Sequence, residues 1–509
     1  MPGKSRYIVT IPTAVPQEAA LGLPDIVAPL PEDRIVRQGQ SGLHVVELTG
    51  EEAAELAYEG LVIEDDQELQ LLLPMPGIGF RVEDAAGRNY SFQVVNETDK
   101  KPIDGVTIFI IGSGATYQAT TGKDGKATVR VFERSVDGVI VSPAANFWSR
   151  VIALPGGSAT ITVQLTPLIP PGAGAWGREA VGLAEDFPFT GAGVKVAILD
   201  SGIAKHPDLA VAGGFNALDG EDSADFRRDE NGHGTYCAGI IAGRNAKNGV
   251  LGVVPDADIY SVKVFPGGRL SDLLEGIQWC MENNMDVISI SLGVPYPSQI
   301  LAAKLAEVAA AGITLVAAAG NDGGPLIFPA ANDGVMAVSA FGSTKAFPED
   351  SAHGLRVSDL HNEECGLFVA NFCNTGAQMA YIGPGVAVVS SVPTGHAAWD
   401  GTSAACSFIA GLAALVLCAY PEIKTGDARQ WRAIHEILRA SALNLSLPDA
   451  IQGAGIPQAN RALTTPLLRR EAIRQFALVR QEHQDRLGPL IAEIEQKQQD
   501  IRDLLAKAG

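Results

Sequence analysis

Four residues in the second half of the chain have the types and settings needed for acyl transfer: Asp200, His233, Asn321 and Ser403. Each lies close to a glycine at what reads as the end of a strand or the start of a helix: Leu199-Asp200-Ser201-Gly202, Gly232-His233-Gly234-Thr235, Ala319-Gly320-Asn321 and Gly401-Thr402-Ser403. In such a set a carboxylate fixes the imidazole tautomer and the imidazole takes the hydroxyl proton. An amide side chain, with backbone N–H groups at a helix start, receives the oxyanion. Taken singly, each has a plainer reading. Ser403 is a natural helix N-cap, Asp200 a loop cap, His233 a helix-start histidine, and Asn321 a residue that tolerates a left-handed turn. Four together in one region point to acyl transfer.

The elements around them must bring these turns together. Val194–Leu199, Ile259–Val264, Asp286–Ser291 and Ile313–Ala318 read as strands, and Ser271–Asn283 and Gln299–Ala311 as helices between them. Strands that are apolar on both faces and alternate with helices imply a parallel sheet with helices on both faces. In such a sheet the reactive side chains belong at the carboxyl ends of strands.

Residues 172–463 resemble the subtilisin-like serine proteases. The resemblance is carried by Asp-Ser-Gly-Ile at 200–203, His-Gly-Thr at 233–235, Ser-Leu-Gly at 291–293, Ala-Ala-Gly-Asn at 318–321 and Gly-Thr-Ser at 401–403, in the family's order. It implies an α/β fold, with Ser403 as nucleophile, His233 as general base and acid, Asp200 as orienting carboxylate and Asn321 as oxyanion donor. Ser291, Leu292 and Gly293 are then the segment on which substrate backbone pairs as an added strand. The run Ala404-Ala405-Cys406-Ser407-Phe408 departs from the family's usual Met-Ala-Ser-Pro-His, which should alter packing more than chemistry. The short loop from Asn321 to Pro329 leaves the side-chain preference at the cleaved bond open. The loop Arg244–Gly249 and Asp208 match a calcium site of the family. Ala246, where a ligating side chain is usual, and the charge of Lys247 count against the ion, so no cofactor is assigned.

Upstream, residues 1–75 read as a small α+β unit, with strands at 7–11, 43–48, 61–64 and 69–72 and a Thr49/Glu52 capping box. The unit resembles the family's inhibitory propeptides, which implies that it docks on the catalytic unit and restrains it. Residues 86–166 have short strands and turns that suggest a β-sandwich, and Pro102–Val129 resembles prealbumin-like or carboxypeptidase-regulatory-like modules. With this unit interposed, the tail of residues 1–75 is not expected to reach the cleft in the usual way. Residues 464–509 form a charged tail with two expected helices, Leu467–Arg486 and Leu490–Ala508, split at Gly488-Pro489.

The 509 residues suit several domains, and 46% hydrophobic content is ample for a large core. A formal charge of −20 argues against nucleic acid or an anionic membrane as the main partner. Polypeptide is the expected substrate, with the C-terminal helices or the sandwich as possible contacts for another protein. The N-terminus has no signal-peptide core, and no apolar span of about 18 residues stands out. A cytoplasmic location with reduced, buried cysteines is therefore expected, with a Cys365–Cys373 pair the exception if conditions were oxidising. The alternative function is a non-catalytic binding scaffold that keeps the protease fold.

Overall fold

The computed structural model describes residues 4–464, apart from 11–33, 40–42, 59–60, 72–86, 134–135, 155–159, 173–174, 185 and 246–247. The expected tail helices lie outside the described residues.

The organising element is a twisted sheet whose order in space is Val211–Asn216, Asp258–Lys263, Lys195–Asp200, Val287–Ile290, Thr314–Ala318 and Val335–Ser343. These six strands run parallel. Beyond them, Leu367–Ala370 and Val357–Asn362 turn antiparallel, and Met379–Pro384 adds a second parallel partner to Val335–Ser343. Lys195–Asp200 is central because it is apolar on both faces and can be covered on both. Leu199 sits opposite Val262 and Ile290, so Asp200 emerges at the carboxyl end level with Ser291 of the neighbouring chain.

Helices on both faces start where the sequence supplies caps. Leu270–Glu282 has a capping box in which the Asp272 carboxylate accepts from Arg269 N at 2.8 Å. Gln299–Ala310 starts at Ser298, whose hydroxyl accepts from Leu301 N at 2.9 Å. The helix Thr402–Ala419 is buried from Thr402 to Leu417 and threads the core. Its alanines and glycines permit close approach: a Cβ at Gly411 would lie 2.6 Å from Val253. This helix corrects the expectation that no apolar span of membrane length exists. By length and composition it qualifies, yet 89% of it is buried inside the protein, as a core helix would be.

Near the N-terminus four strands form a sheet in the order Ile35–Gln38, His44–Leu48, Ser5–Thr10, Val62–Asp65, with helix Gly50–Tyr58 against it. The Thr49/Glu52 box closes as read, with Thr49 N donating to Glu52 at 2.7 Å. Ile8, Leu43 and Val45 from this sheet share an apolar cluster with Leu270, Leu273, Leu274 and Ile277 of the large unit. Two further sheets follow: Arg150–Ile152, Val136–Ser142, Thr107–Gly112, Thr116–Thr120, and Ile161–Leu165, Arg88–Asn96, Lys126–Val131. Phe92, Val94, Ile108, Ile110, Val129, Val139 and Leu165 from both make one core. Thr116–Thr120 and Arg150–Ile152 had no sequence signal, and Ile161–Leu165 runs parallel to Arg88–Asn96.

Candidate active site

Asp200, 1% exposed, ends its strand with its carboxylate against His233: Oδ1 and Oδ2 lie 2.8 and 2.9 Å from Nδ1. His233 is the first residue of helix His233–Ala242, and Gly232 before it has φ 82°, ψ 0°, a left-handed turn that favours glycine. With Nδ1–H donated to Asp200, Nε2 is left as the basic nitrogen. Burial alone would push the imidazole down, but the Asp200 charge, with Cys237 behind it, holds His233 well above its ordinary pKa.

A second set of groups holds this pair, and sequence reasoning missed it. Ser201 N donates to Asp200 Oδ1 at 2.8 Å, while Ser201 Oγ donates to Asp229 Oδ1 at 2.8 Å and accepts from Gly234 N at 2.9 Å. Asp229 also accepts from Gly232 N and Thr235 N, each at 2.9 Å. One buried carboxylate thus ties the loop after Asp200 to the helix that starts at His233. Burial pushes the Asp229 carboxyl above its usual range. The only sequence signal was an acid four residues before the histidine.

Ser403, 2% exposed, is the second residue of its helix, and Gly401 before it has φ 154°, ψ 153°, a region nearly closed to residues with a Cβ. The Ser403 hydroxyl lies 3.4 Å from Ser291 O. From the other side Cys237 Sγ, 3.9 Å from His233 Nδ1, lies 3.8 Å from Ser291 Oγ. Ser291 therefore bridges the histidine helix and the serine helix. Asn321 Oδ1 accepts from Thr402 N at 2.9 Å and Thr402 Oγ1 at 2.8 Å, which orients the amide with its nitrogen on the opposite side. The Asp200–His233 pair reaches Ser291 through Cys237, and Ser403 reaches it through its hydroxyl, while Asn321 is tied to the Gly401-Thr402 turn.

Leu292 and Gly293 pair antiparallel with Leu71 and Gln70. The tail is not expected from the sequence to reach the cleft in the usual way, yet Gln70 and Leu71 lie on the segment read as substrate-pairing, despite the inserted unit. The tail is held on its way: Asp66 accepts from Ser271 N and Oγ at 2.9 Å each, and Leu69 N donates to Gly268 O at 2.9 Å. Glu64 accepts from Gln299 N at 2.7 Å. Two carboxylates of the N-terminal unit thus sit at the amino ends of two helices of the large unit, where the helix dipole favours negative charge.

Among the described residues, which leave out 246–247 of the expected loop, those around Asp208 do not fit calcium. Its Oδ2 accepts from His396 Nε2 at 2.7 Å, Val250 N at 3.0 Å and Ser391 Oγ at 3.2 Å, while Oδ1 is buried without a hydrogen-bond partner. His206 and His396 are its ionisable neighbours. One carboxylate between two imidazoles is not the oxygen-rich cage that a hard cation requires. All six cysteines are free. Cys365 is exposed, whereas buried Cys373 bonds the backbone of Ala340, so the two do not pair.

Comparison with known proteins bears on the same region. The subtilase family model matches residues 191–455. M-protease of Shouchella clausii is 39% identical over 248 residues, which cover 47% of this chain and 59% of that protein. Subtilisin Savinase of Lederbergia lenta is 39% identical over 248 residues, 83% of its length. A thermostable alkaline protease of Halalkalibacterium halodurans is 38% identical over 295 residues, covering 56% of this chain and 73% of that protein. The matched stretch begins just before the strand of Asp200 and runs past the helix of Ser403, and on that match the chain belongs to the subtilase family.

Proposed function

We propose that this chain is a serine endopeptidase that hydrolyses peptide bonds through an acyl-enzyme. The observation that carries the reading is the buried Asp200–His233 pair and a serine at the start of a buried helix, whose two helices are both linked to Ser291. Ser403 Oγ attacks the peptide carbonyl while His233 Nε2 takes its proton, and the imidazolium then protonates the leaving amine. Water attacks the ester in a second round with the same groups. The oxyanion is received by Ser403 N–H, at the positive end of its helix, and by the Asn321 amide nitrogen.

The substrate is polypeptide, laid as an antiparallel strand on Ser291–Gly293, the edge that Gln70–Leu71 occupies. That occupancy supports a restraining role for residues 1–75 and a zymogen-like full chain. The catalytic base works only as neutral imidazole, so the raised His233 pKa moves activity to the alkaline side, in keeping with the alkaline protease of Halalkalibacterium among its relatives. Six unpaired thiols support a reducing, cytoplasmic setting. The test is labelling by a fluorophosphonate, with the adduct mapped by peptide sequencing. Label on Ser403, lost in His233→Ala, supports the reading. Absence of label, both in the full chain and after residues 1–71 are displaced, overturns it and leaves a binding scaffold.

A further inference from the structure

Directly before the Gly401-Thr402-Ser403 turn stands Asp400, a residue that neither composition nor motif singled out. Its side chain is only 8% exposed, yet it is charged and fully engaged. Oδ1 is 2.6 Å from His353 Nδ1 and accepts from Ala387 N at 2.8 Å, and Oδ2 accepts from Arg356 Nε at 3.1 Å. One residue on, Gly401 N donates to Gly385 O at 2.8 Å. Burial would raise the Asp400 carboxyl, but His353 and Arg356 hold it below the usual range, so it remains ionised.

The unit formed by residues 88–165 touches the catalytic unit along two strips, and both lead to this carboxylate. The first strip meets the short helical turn Ala352–Arg356 that supplies His353 and Arg356. Val151 N donates to Asp350 O at 2.7 Å, Arg150 pairs with the Asp350 carboxylate at 2.8 Å, and Ala352 N donates to Ser149 Oγ at 3.2 Å. Trp148 stands edge-on to the His353 ring, with centroids 5.8 Å apart, and packs on the main core. The opposite nitrogen of that imidazole, Nε2, is buried without a hydrogen-bond partner, so ring packing rather than a polar contact fixes it on that side. The second strip meets the hairpin Val388–Val392/Gly395–Trp399, whose last strand runs straight into Asp400. There Asn146 N donates to His396 O at 2.7 Å, Asn146 Oδ1 accepts from His396 N at 3.1 Å, and Nδ2 donates to Thr394 O at 3.2 Å.

We propose that Asp400 is a positioning residue for Ser403, and that the inserted unit, through Trp148 and Asn146, is the brace that holds it there. This rests on Ser403 being the nucleophile. Thr402, two residues on, donates both N–H and hydroxyl to Asn321 Oδ1, so a shift of Asp400 displaces the nucleophile and the oxyanion amide together. Displacements of about 1 Å at reacting atoms cost up to about a hundredfold in rate.

The experiment uses the full chain and measures the second-order rate of fluorophosphonate labelling, kcat and KM on a peptide, and amide exchange across residues 385–403. Trp148→Ala and Asn146→Ala are each expected to slow labelling and lower kcat roughly tenfold with KM little changed. Trp148→Phe restores most of the rate. Adding Trp148→Ala to Asp400→Asn slows it little beyond Asp400→Asn alone, because both act through one carboxylate. Amides of Gly401 and Thr402 exchange faster in each slowed variant. Unchanged labelling and exchange in Trp148→Ala and Asn146→Ala would sink the brace, as would losses that only track the folded fraction. A parent chain that takes no label, with or without Asp66→Ala to loosen the N-terminal sheet, would instead sink the nucleophile assignment.

Discussion

Replacing Asp66 by alanine tests the restraint where its chemistry is most concentrated. The carboxylate is fully buried, accepts two hydrogen bonds from Ser271 at 2.9 Å each, and lies 3.3 Å from Arg6 Nε. Loss of a helix-capping acceptor costs about 1 kcal/mol. A second charge-assisted bond, together with the unpaired groups left behind, adds about 2 kcal/mol. About 3 kcal/mol in all raises the undocked fraction of the N-terminal unit by roughly a hundredfold, at about 1.4 kcal/mol per factor of ten. Initial rates of hydrolysis of a chromogenic peptide by freshly refolded full chain should rise by up to that factor, and saturate once most molecules are open. Asp66→Asn, which keeps the shape and one acceptor, should rise less. If Asp66→Ala lowered the thermal midpoint but left the rate within twofold of the parent, docking would not limit activity and the restraint would be wrong.

Asn321→Ala should lower kcat by about 10²–10³ with KM little changed, the range found for an oxyanion amide in the subtilisin family itself, as steady-state kinetics will report. Because the folded pKa of His233 is raised, kcat/KM should climb with pH through that raised value, above the ordinary imidazole value of about 6.5. The stability that His233 protonation contributes has the opposite trend: it is full below the unfolded pKa and lost as pH rises through the folded one. Denaturant titrations of the parent against His233→Gln should therefore converge with rising pH. His396→Ala removes the shortest hydrogen bond to the buried Asp208 carboxylate and should cost about 2 kcal/mol by urea unfolding. A calcium chelator should leave the parent's midpoint unchanged, and a clear fall on chelation would reverse the reading of the Asp208 site.

What the sequence displayed follows from how local each signal is. The strand ending at Asp200 could be read because burial on both faces leaves an unbroken apolar run, and the histidine and serine turns because glycine marks them. The strand Val335–Ser343 is as buried, but its alanines, serines and glycine carry no alternation or β-branched run. The hairpin before Asp400 hid for another reason: its Ser390 and Ser391 look like surface residues, yet both are buried and satisfied by Tyr236 O and Asp208. Pairings such as Trp148 with His353, or Leu71 with Leu292, join distant segments, and neither residue type nor spacing announces them. The expectation about the tail failed because it reasoned from chain order, whereas the strand Gln70–Leu71 is placed by bonds made before the inserted unit begins.

That order along the chain gives the two upstream units opposite fates. A single scission anywhere between residues 71 and 88 would leave the strand on Leu292–Gly293 held by non-covalent contacts alone, while Asn146 and Trp148 stay covalently joined to the serine they brace. The first is a guest that can be dismissed once; the second stays in the household for the life of the molecule.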